Sequence, residues 1–418
     1  MNIPEGWRKV KFGDVVNKVN DKVPNREEWT FERYIGGEHF DNGEIRITKS
    51  NPIKGNEEVI GSAFHMRFKP GQVLYVTRNP RLRKGGMVDF EGVCSNVSFV
   101  LEADESQLLQ SLLPFVIQTE DFVMHTCNNA HGSTNPFLNW KDIAKYEFLL
   151  PPLEEQKKIS EVLWSVEENY YNHVKLYKKF RLSKRIISNS LFTKGINSSD
   201  LDKDKFGFVP KNWKKVRLEE FSKVFTKQTG FDYSAKIKPS LVKTKSEGVL
   251  PFIQNKDFGY KSVNYNTDFY IPKKVAENYP KILLDEKCIL ISISGKIGNV
   301  GIFDNKKTAF LGGAIAVIKL KDESMAEWIL YYLKSKIGQR KLFFNVKASS
   351  HQNLILSDLR DIIIPLPDDK EKYEIINIIN KIDKESENLY LIKKSILNLR
   401  NKLSNELLSG NLRLEDGK

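Results

Sequence analysis

Two long stretches of the chain carry apolar residues at spacings of three and four, with polar positions between them. In the second half the stripe runs Ile375, Ile379, Ile382, Ser386, Leu389, Ile392, Ile396, Leu399, Leu403, Leu407. In the first half it runs Ile159, Leu163, Val166, Tyr170, Val174, Tyr177 and, less regularly, Phe180, Ile187 and Leu191. A stripe sustained beyond four turns predicts a long helix with one face to hide. From Glu154 to Thr193 such a helix would reach roughly 60 Å. Two helices with one apolar stripe each bury it most simply against one another, as a coiled coil. An antiparallel arrangement is expected, because the first helix must feed the second half through residues 197–208 at the end away from the first.

Both helices follow a proline hinge, Leu150-Pro151-Pro152-Leu153 and Ile364-Pro365-Leu366-Pro367. Asp368 with Glu371 three residues later predicts a capping box at the second start, and Gly195 and Gly410 supply stops. Ahead of each hinge lie about 150 residues punctuated by Gly, Pro and Asn. Their short β-branched runs (Val73 to Thr77, Val97 to Leu101, Ile289 to Ile293, Ala314 to Leu320) predict strands, and Met325 to Lys336 a helix. The fold class expected is α+β.

The two halves repeat one another. Pro4-Glu5-Gly6-Trp7-Arg8-Lys9-Val10 returns as Pro210-Lys211-Asn212-Trp213-Lys214-Lys215-Val216, an offset of 206 from Trp7 to Trp213. Gly132-Ser133-Thr134 through Leu138 and Asp142 returns as Ala348-Ser349-Ser350 through Leu354 and Asp358, at an offset of 216 that then holds to the end of the helices. So long a period is no solenoid; a whole domain and its exit helix are duplicated. The extra residues of the second copy fall inside its globular part, chiefly before Phe252.

Lys and Arg total 66 against 53 Asp and Glu in 418 residues, a formal charge of +13, which points to an acidic partner, nucleic acid before an anionic membrane. No apolar run approaches the ~20 residues of a membrane span, and no secretory leader is evident, so a cytoplasmic protein without membrane partners is expected. Cys94, Cys127 and Cys288 have no metal or disulfide spacing, and the six histidines offer no i, i+4 pair. Gly295, Gly298 and Gly301 lack the strand, turn and helix order of a dinucleotide site. Asn79-Pro80-Arg81 and Asn135-Pro136-Phe137 only partly match the N-P-P-F motif of amino-methyltransferases. Catalytic and metal-binding residues are therefore expected to be absent.

The residues that suit nucleic acid are spread out. Arg78, Arg81, Arg83 and Lys84 follow a predicted strand and precede Gly85-Gly86; arginine there suits bidentate contact to guanine or phosphate, against the alternative of a solvated charged turn. In the second half the corresponding turn holds Lys296 and Asn299. Gln254, Asn255 and Lys256 can reach adenine edges or simply end a strand. The loops containing Ser133 and Thr134, and Ser349, Ser350, His351 and Gln352, are small and donor-rich, fitted to phosphates or base edges or to a structural turn. Between Glu168 and Asp200 every charge is positive (Lys175, Lys178, Lys179, Arg181, Lys184, Arg185, Lys194), and Lys393, Lys394, Arg400 and Lys402 repeat the bias, marking a basic face toward DNA or an acidic subunit.

With these residues in view, the chain resembles the specificity subunits of Type I restriction-modification systems. The Pro-x-x-Trp openings, the hinge Pro151-Pro152-Leu153-Glu154-Glu155-Gln156-Lys157, the Gly-Ser-Thr loop and the Leu408-Ser409-Gly410 ending carry the likeness; the second hinge, Asp368-Asp369-Lys370-Glu371, departs from it. The resemblance implies two target recognition domains joined by two long helices packed as an antiparallel coiled coil: 1–150 the first domain, 151–196 the first spacer helix, 197–364 a linker and the second domain, 365–418 the second helix and tail. It implies double-stranded DNA as ligand, read at a split, asymmetric site whose halves the helices space. It also implies two modification (methyltransferase) subunits and restriction/translocase subunits as partners. S-adenosylmethionine, ATP and Mg would be cofactors of those partners and not of this chain. A self-contained DNA methyltransferase and a coiled-coil adaptor for proteins are the alternatives.

Overall fold

The computed structural model describes residues 3–196, 200–259, 261–346 and 353–414. It divides into two units, Met1–Tyr177 with Leu389–Lys418, and Lys178–Asn388. The two long helices are Leu153–Lys194 (α1) and Asp369–Leu408 (α2). They start where the hinge prolines cease to deny backbone donors and end before Gly195 and Gly410, whose φ values of +67° and +76° suit glycine.

In the first unit, a five-stranded sheet has the spatial order Val16–Val19, Ser98–Ala103, Val73–Val76, Gly85–Val88, Arg46–Ile47. A four-stranded sheet has the order Asn51–Pro52, Arg33–Ile35, Gly92–Ser95, Phe64–Phe68, with the two central strands parallel. Val73–Val76 is buried at every position, so it reads as a continuous apolar run and not as an alternation. One core gathers Phe12, Tyr75, Phe115 and Phe122, with Phe122 tilted or edge-on to the first two at 5.4 and 5.6 Å.

The second unit repeats this topology from different residues, except that among the described residues the edge strand Arg46–Ile47 has no counterpart. Its sheets run Ser222–Lys227, Ile315–Leu320, Cys288–Ser292, Val300–Phe303, and Tyr270–Pro272, Val249–Ile253, Ala309–Leu311, Leu283–Leu284. The pair Val249–Ile253 and Ala309–Leu311 is again parallel. The extra residues of this copy include the short helical turns at 230–240, between Ser222–Lys227 and Val249–Ile253, consistent with the insertion expected before Phe252. The predicted helix at 325–336 breaks at Ser335, whose hydroxyl accepts the Gly338 N–H and starts a second helix, Lys336–Leu342. Ala326–Lys334 is buried almost all round, as a helix inside a core must be.

The duplicated phrases form matching joints. Arg8–Lys11 pairs antiparallel with Glu147–Leu150, and Lys214–Arg217 with Ile363–Leu366, in the same register, with Arg8 opposite Leu150 and Lys214 opposite Leu366. The Trp7 indole N–H donates to Glu155 Oε2 at 2.9 Å, and the Trp213 indole N–H donates to Glu371 Oε2 at 2.9 Å. Each unit thus locks its opening tryptophan to the first turn of its own exit helix. The capping box expected at Asp368 is half formed: Asp368 Oδ1 accepts the Glu371 N–H at 2.8 Å, but the Glu371 carboxylate turns to Trp213 and the Ile196 N–H, which hold it better than a solvated helix end would.

Each unit also packs parts of both long helices antiparallel. In the first, Glu155 meets Arg413, Glu167 meets Arg400 and Tyr177 meets Tyr390; in the second, Lys184 meets Asp383 at 2.6 Å while Ile196 meets Glu371. The apolar stripe is less pure than its spacing predicts. Ile375, Ile379, Leu389 and Leu407 are buried, whereas Ile392 and Leu399 are exposed. Arg400 is 2% exposed and its guanidinium donates to Glu167 Oε2 at 2.8 Å and to the Gly43 carbonyl at 2.7 Å. This corrects the reading of Arg400 as part of a solvent-facing basic surface. A straight helix drifts against a strict seven-residue repeat, so the stripe leaves the packed face and an ion pair occupies it.

Candidate nucleic-acid interface

The strand Val73–Val76 delivers the chain into the turn that carries Arg78, Arg81, Arg83 and Lys84. Asn79 and Arg83 both adopt left-handed backbone, φ +50° and +52°, around a single helical turn at Pro80–Leu82. A second loop, 131–137, closes on it. Leu138 donates its N–H to the Thr77 carbonyl, Asn79 N–H to the Pro136 carbonyl at 2.7 Å, and the Asn79 side-chain amide to Asn135 Oδ1 at 2.8 Å. The Arg78 guanidinium lies over the Phe137 ring, 5.4 Å from its centroid, and reaches the Asn135 carbonyl. Arg78, Ser133 and Thr134, far apart in sequence, therefore share one exposed rim.

The four basic residues of this turn have different duties. Arg81 is exposed and makes no hydrogen bond or ion pair among the described residues. Arg83 forks onto the Glu120 carboxylate, one arm at 2.8 Å, which holds that carboxyl below its usual range mainly through the hydrogen bonds. The Lys84 ammonium donates to the Gly37 carbonyl at 2.6 Å. Arg83 and Lys84 are thus anchors of the turn, and Arg78 and Arg81 its outward faces. Beside them a groove of about 310 Å³ is lined by Lys18, Thr77, Asn96 and Trp140. Lys18 sits over Phe99 at 4.7 Å; sequence reading missed it because one lysine on an alternating strand carries no signal.

In the second unit the equivalent turn follows Cys288–Ser292. Leu354 donates to the Ile293 carbonyl as Leu138 does to Thr77, and Gly295 takes the positive φ, +71°, held by Asn79 in the other copy. Here three of the expected residues converge: the Asn255 amide donates to the Lys296 carbonyl at 2.8 Å, and the Asn299 amide to Asn255 Oδ1 at 3.2 Å. The Ser292 hydroxyl clamps the turn from inside, bonding the Lys296 carbonyl and accepting the Asn299 N–H. The Lys296 side chain is exposed. Lys256 instead pairs with Asp268, and the Gln254 backbone N–H donates to Asp257 Oδ2 at 2.8 Å. Ser349, Ser350, His351 and Gln352 lie outside the described residues.

Cys94 and Cys288 are buried, burial pushing the Cys94 thiol up to about 12, which suits a small core residue and not a nucleophile. Among the described residues no helix is long and apolar enough to cross a membrane.

Two units of one topology, each presenting a turn of its own chemistry and framed by a repeated joint, define a duplicated recognition module. Known proteins agree. The pattern of the Type I restriction modification DNA specificity domain family matches residues 4–178 and again 210–397. Among relatives, the Type I restriction enzyme MjaVIII specificity subunit of Methanocaldococcus jannaschii is 23% identical over all of this chain and 95% of its own length. A putative MjaX specificity subunit of the same organism is 27% identical over 99% of this chain and 95% of its own. Among solved structures, a chain from work on complex assembly and conformational transition of the type I R-M system matches with a TM-score of 0.61 at 19% identity, covering 99% of this chain and 100% of that one. The S subunit of a Type-I restriction-modification system from M. genitalium matches at 0.54 and 15%, covering 97% and 96%. At such identities the solved structures speak to the fold. The chain belongs to the family of type I restriction-modification specificity subunits, whose role is DNA-sequence recognition and not catalysis.

Arg81 is exposed and has no hydrogen bond or ion pair among the described residues, so its removal leaves the turn itself intact and isolates any contact it makes to a ligand. Arg81→Ala should cost about 1–3 kcal/mol at one position of one half of the site, seen as relaxed preference there in a binding selection over randomised duplexes, the other half unchanged. A loss spread evenly over all sequences would make Arg81 a phosphate contact instead.

Proposed function

We propose that each unit reads one half of a split, asymmetric double-stranded DNA site. The first would do so through Arg78, Arg81 and the Ser133–Thr134 rim, the second through Lys296, Asn299 and Asn255. The observation that carries this reading is the turn at one and the same place of a duplicated frame, arginine-rich in one copy and amide-rich in the other. Arginine suits guanine O6 and N7, and amides suit adenine N6 and N7. A duplicated module with altered reading groups is how one chain specifies two different half-sites.

The same reading supplies the partners. Two modification subunits would dock on the long helices, where exposed apolar side chains such as Leu182 and Ile186 in one unit and Leu391 and Leu399 in the other are available. Those subunits would bring S-adenosylmethionine and flip the target adenine out of the duplex to methylate it. Restriction/translocase subunits, with ATP and Mg, would complete the assembly in the cytoplasm. The test is methyl transfer from labelled S-adenosylmethionine to host-motif DNA. The chain alone should transfer nothing, and adding modification subunits should produce methylation that depends on this chain. Transfer by the chain alone would overturn the reading in favour of a self-contained methyltransferase.

A further inference from the structure

One cavity of the second unit is unlike its counterpart in the first. It has a volume of about 490 Å³, is open to solvent, and is walled by Arg181, Lys184, Arg185, Lys334, Lys336 and Asn299. Asp383, which pairs with Lys184 at 2.6 Å, is not part of the wall. Five cations from two separate elements, α1 and the helical pair at 326–342, thus surround one space beside the Ser294–Asn299 turn.

The duplication provides an internal control. At the 216-residue offset, Lys184 and Asp383 correspond to Arg400 and Glu167, so the ion pair between the long helices is kept in both copies. The surroundings are not kept. Where the second unit has Lys334, Lys336, Arg181 and Arg185, the first has Gln118, Glu120, Leu397 and Asn401. Where the second has Ser386, the first has Tyr170, whose ring packs under the Arg400 guanidinium at 5.3 Å. In the first unit Gln118 donates to the Gly85 carbonyl and Glu120 takes the fork of Arg83, so the same place carries an amide and a paired carboxylate. In the second unit it is open and basic. Burial works against this arrangement: it pushes the Lys334 ammonium down to about 8, Asp383 opposing the shift and Lys184 adding to it. A cluster that costs the fold something and is absent from the sister copy points to an anion as its occupant.

We propose that this cavity holds a backbone phosphate of the DNA, next to the bases approached by Lys296 and Asn299. The inference rests on the reading that the second unit binds DNA. Asn299 belongs to both the cavity wall and the turn, which places the anion within one nucleotide's reach of the reading groups. Arg181 and Arg185 lie one helical turn apart and are exposed, a line of charge that suits a polyanion. The cavity would fix the second unit on its half-site, and the first unit would rely on other contacts.

The test transplants the first unit's residues into the second: Lys334→Gln, Lys336→Glu and Arg185→Asn together, in the full chain assembled with its modification subunits, and Lys336→Gln alone as a minimal surface change. Binding of a fluorescent duplex carrying the methylated host motif is measured across salt concentrations. The triple variant should bind roughly 10-fold or more weakly, with a shallower salt dependence, the slope falling by about 0.9 for each phosphate that the protein no longer neutralises. The base preference at both half-sites should stay as it was, and Lys336→Gln should move in the same direction by less. Unchanged affinity and slope in both variants would overturn the proposal. So would calorimetric uptake of pyrophosphate at micromolar affinity by the wild-type chain, abolished in the triple variant, if duplex binding stayed intact; the cavity would then be a small-anion site. A wild-type assembly that bound no duplex would sink the DNA-reading role itself, a separate outcome.

Discussion

Arg400→Ala should lower the unfolding free energy of the first unit by about 3–5 kcal/mol. The change strips Glu167, 3% exposed, of the guanidinium that meets it at 2.8 Å and leaves a carboxylate in the helix seam. Burial already holds that carboxyl above its usual range even with Arg400 beside it, so without Arg400 the folded chain must either bury an unpaired anion or take up a proton. The Gly43 carbonyl loses its donor as well. Urea unfolding of the full chain should show an earlier first transition, read as a midpoint because two units need not unfold together. Replacing both partners, Arg400→Met with Glu167→Leu, should recover most of the loss, since an apolar pair of similar volume has no charge to desolvate. Lys184→Ala should cost less: the Lys184 side chain is 27% exposed where that of Arg400 is 2%, and Lys334 stays close enough to offset the Asp383 charge. Equal losses at the two sites would mean that burial does not set the value of these pairs.

The second large effect falls on Trp328. Its side chain is fully buried, edge-on to Phe192 at 5.1 Å and to Trp213 at 5.6 Å, and its indole N–H donates to the Pro365 carbonyl at 3.0 Å. It therefore joins the end of α1, the opening phrase and the hinge of the second unit at one point. Trp328→Ala should cost about 3–5 kcal/mol, and Trp328→Phe distinctly less because ring packing survives. Thermal unfolding checks the magnitude. Limited proteolysis checks the place, since cleavage should concentrate near the loosened end of α1 around Leu191 to Gly195. Unaltered proteolysis with a lowered Tm would put the damage elsewhere in the core.

The helices, the hinges and the duplication were legible in the sequence because each is written locally. A 3.6-residue period, a pair of prolines and a repeated Trp phrase need no knowledge of distant residues. The predicted strands also coincide closely with Val73–Val76, Ser98–Ala103, Cys288–Ser292 and Ile315–Leu320. The sheet order was not legible, since pairings such as Arg33–Ile35 with Gly92–Ser95 join segments far apart. Nor was the seam's ion pair, because Glu167 and Arg400 look like any surface charges until the two helices are set side by side. The candidate interface shows the same division. Turn chemistry identified Arg78 to Lys84 as a group, but only the fold reveals that Glu120 and the Gly37 carbonyl occupy Arg83 and Lys84 while Arg81 faces outward. Asn135 looks in sequence like a fragment of a methyltransferase motif; in the structure it buttresses the turn through Asn79. The basic cavity escaped notice because Lys334, Lys336 and Arg185 come from segments whose proximity only packing creates.

Mapping methylated motifs in host DNA decides whether this chain sets the DNA sequence its partners modify through two separately acting units. Three strains are compared: one carrying the chain, one lacking it, and one carrying Arg81→Ala. A split motif should be methylated only when the chain is present, with Arg81→Ala relaxing one half and leaving the other intact. A motif that persists without the chain, or that loses both halves equally in the variant, would contradict it.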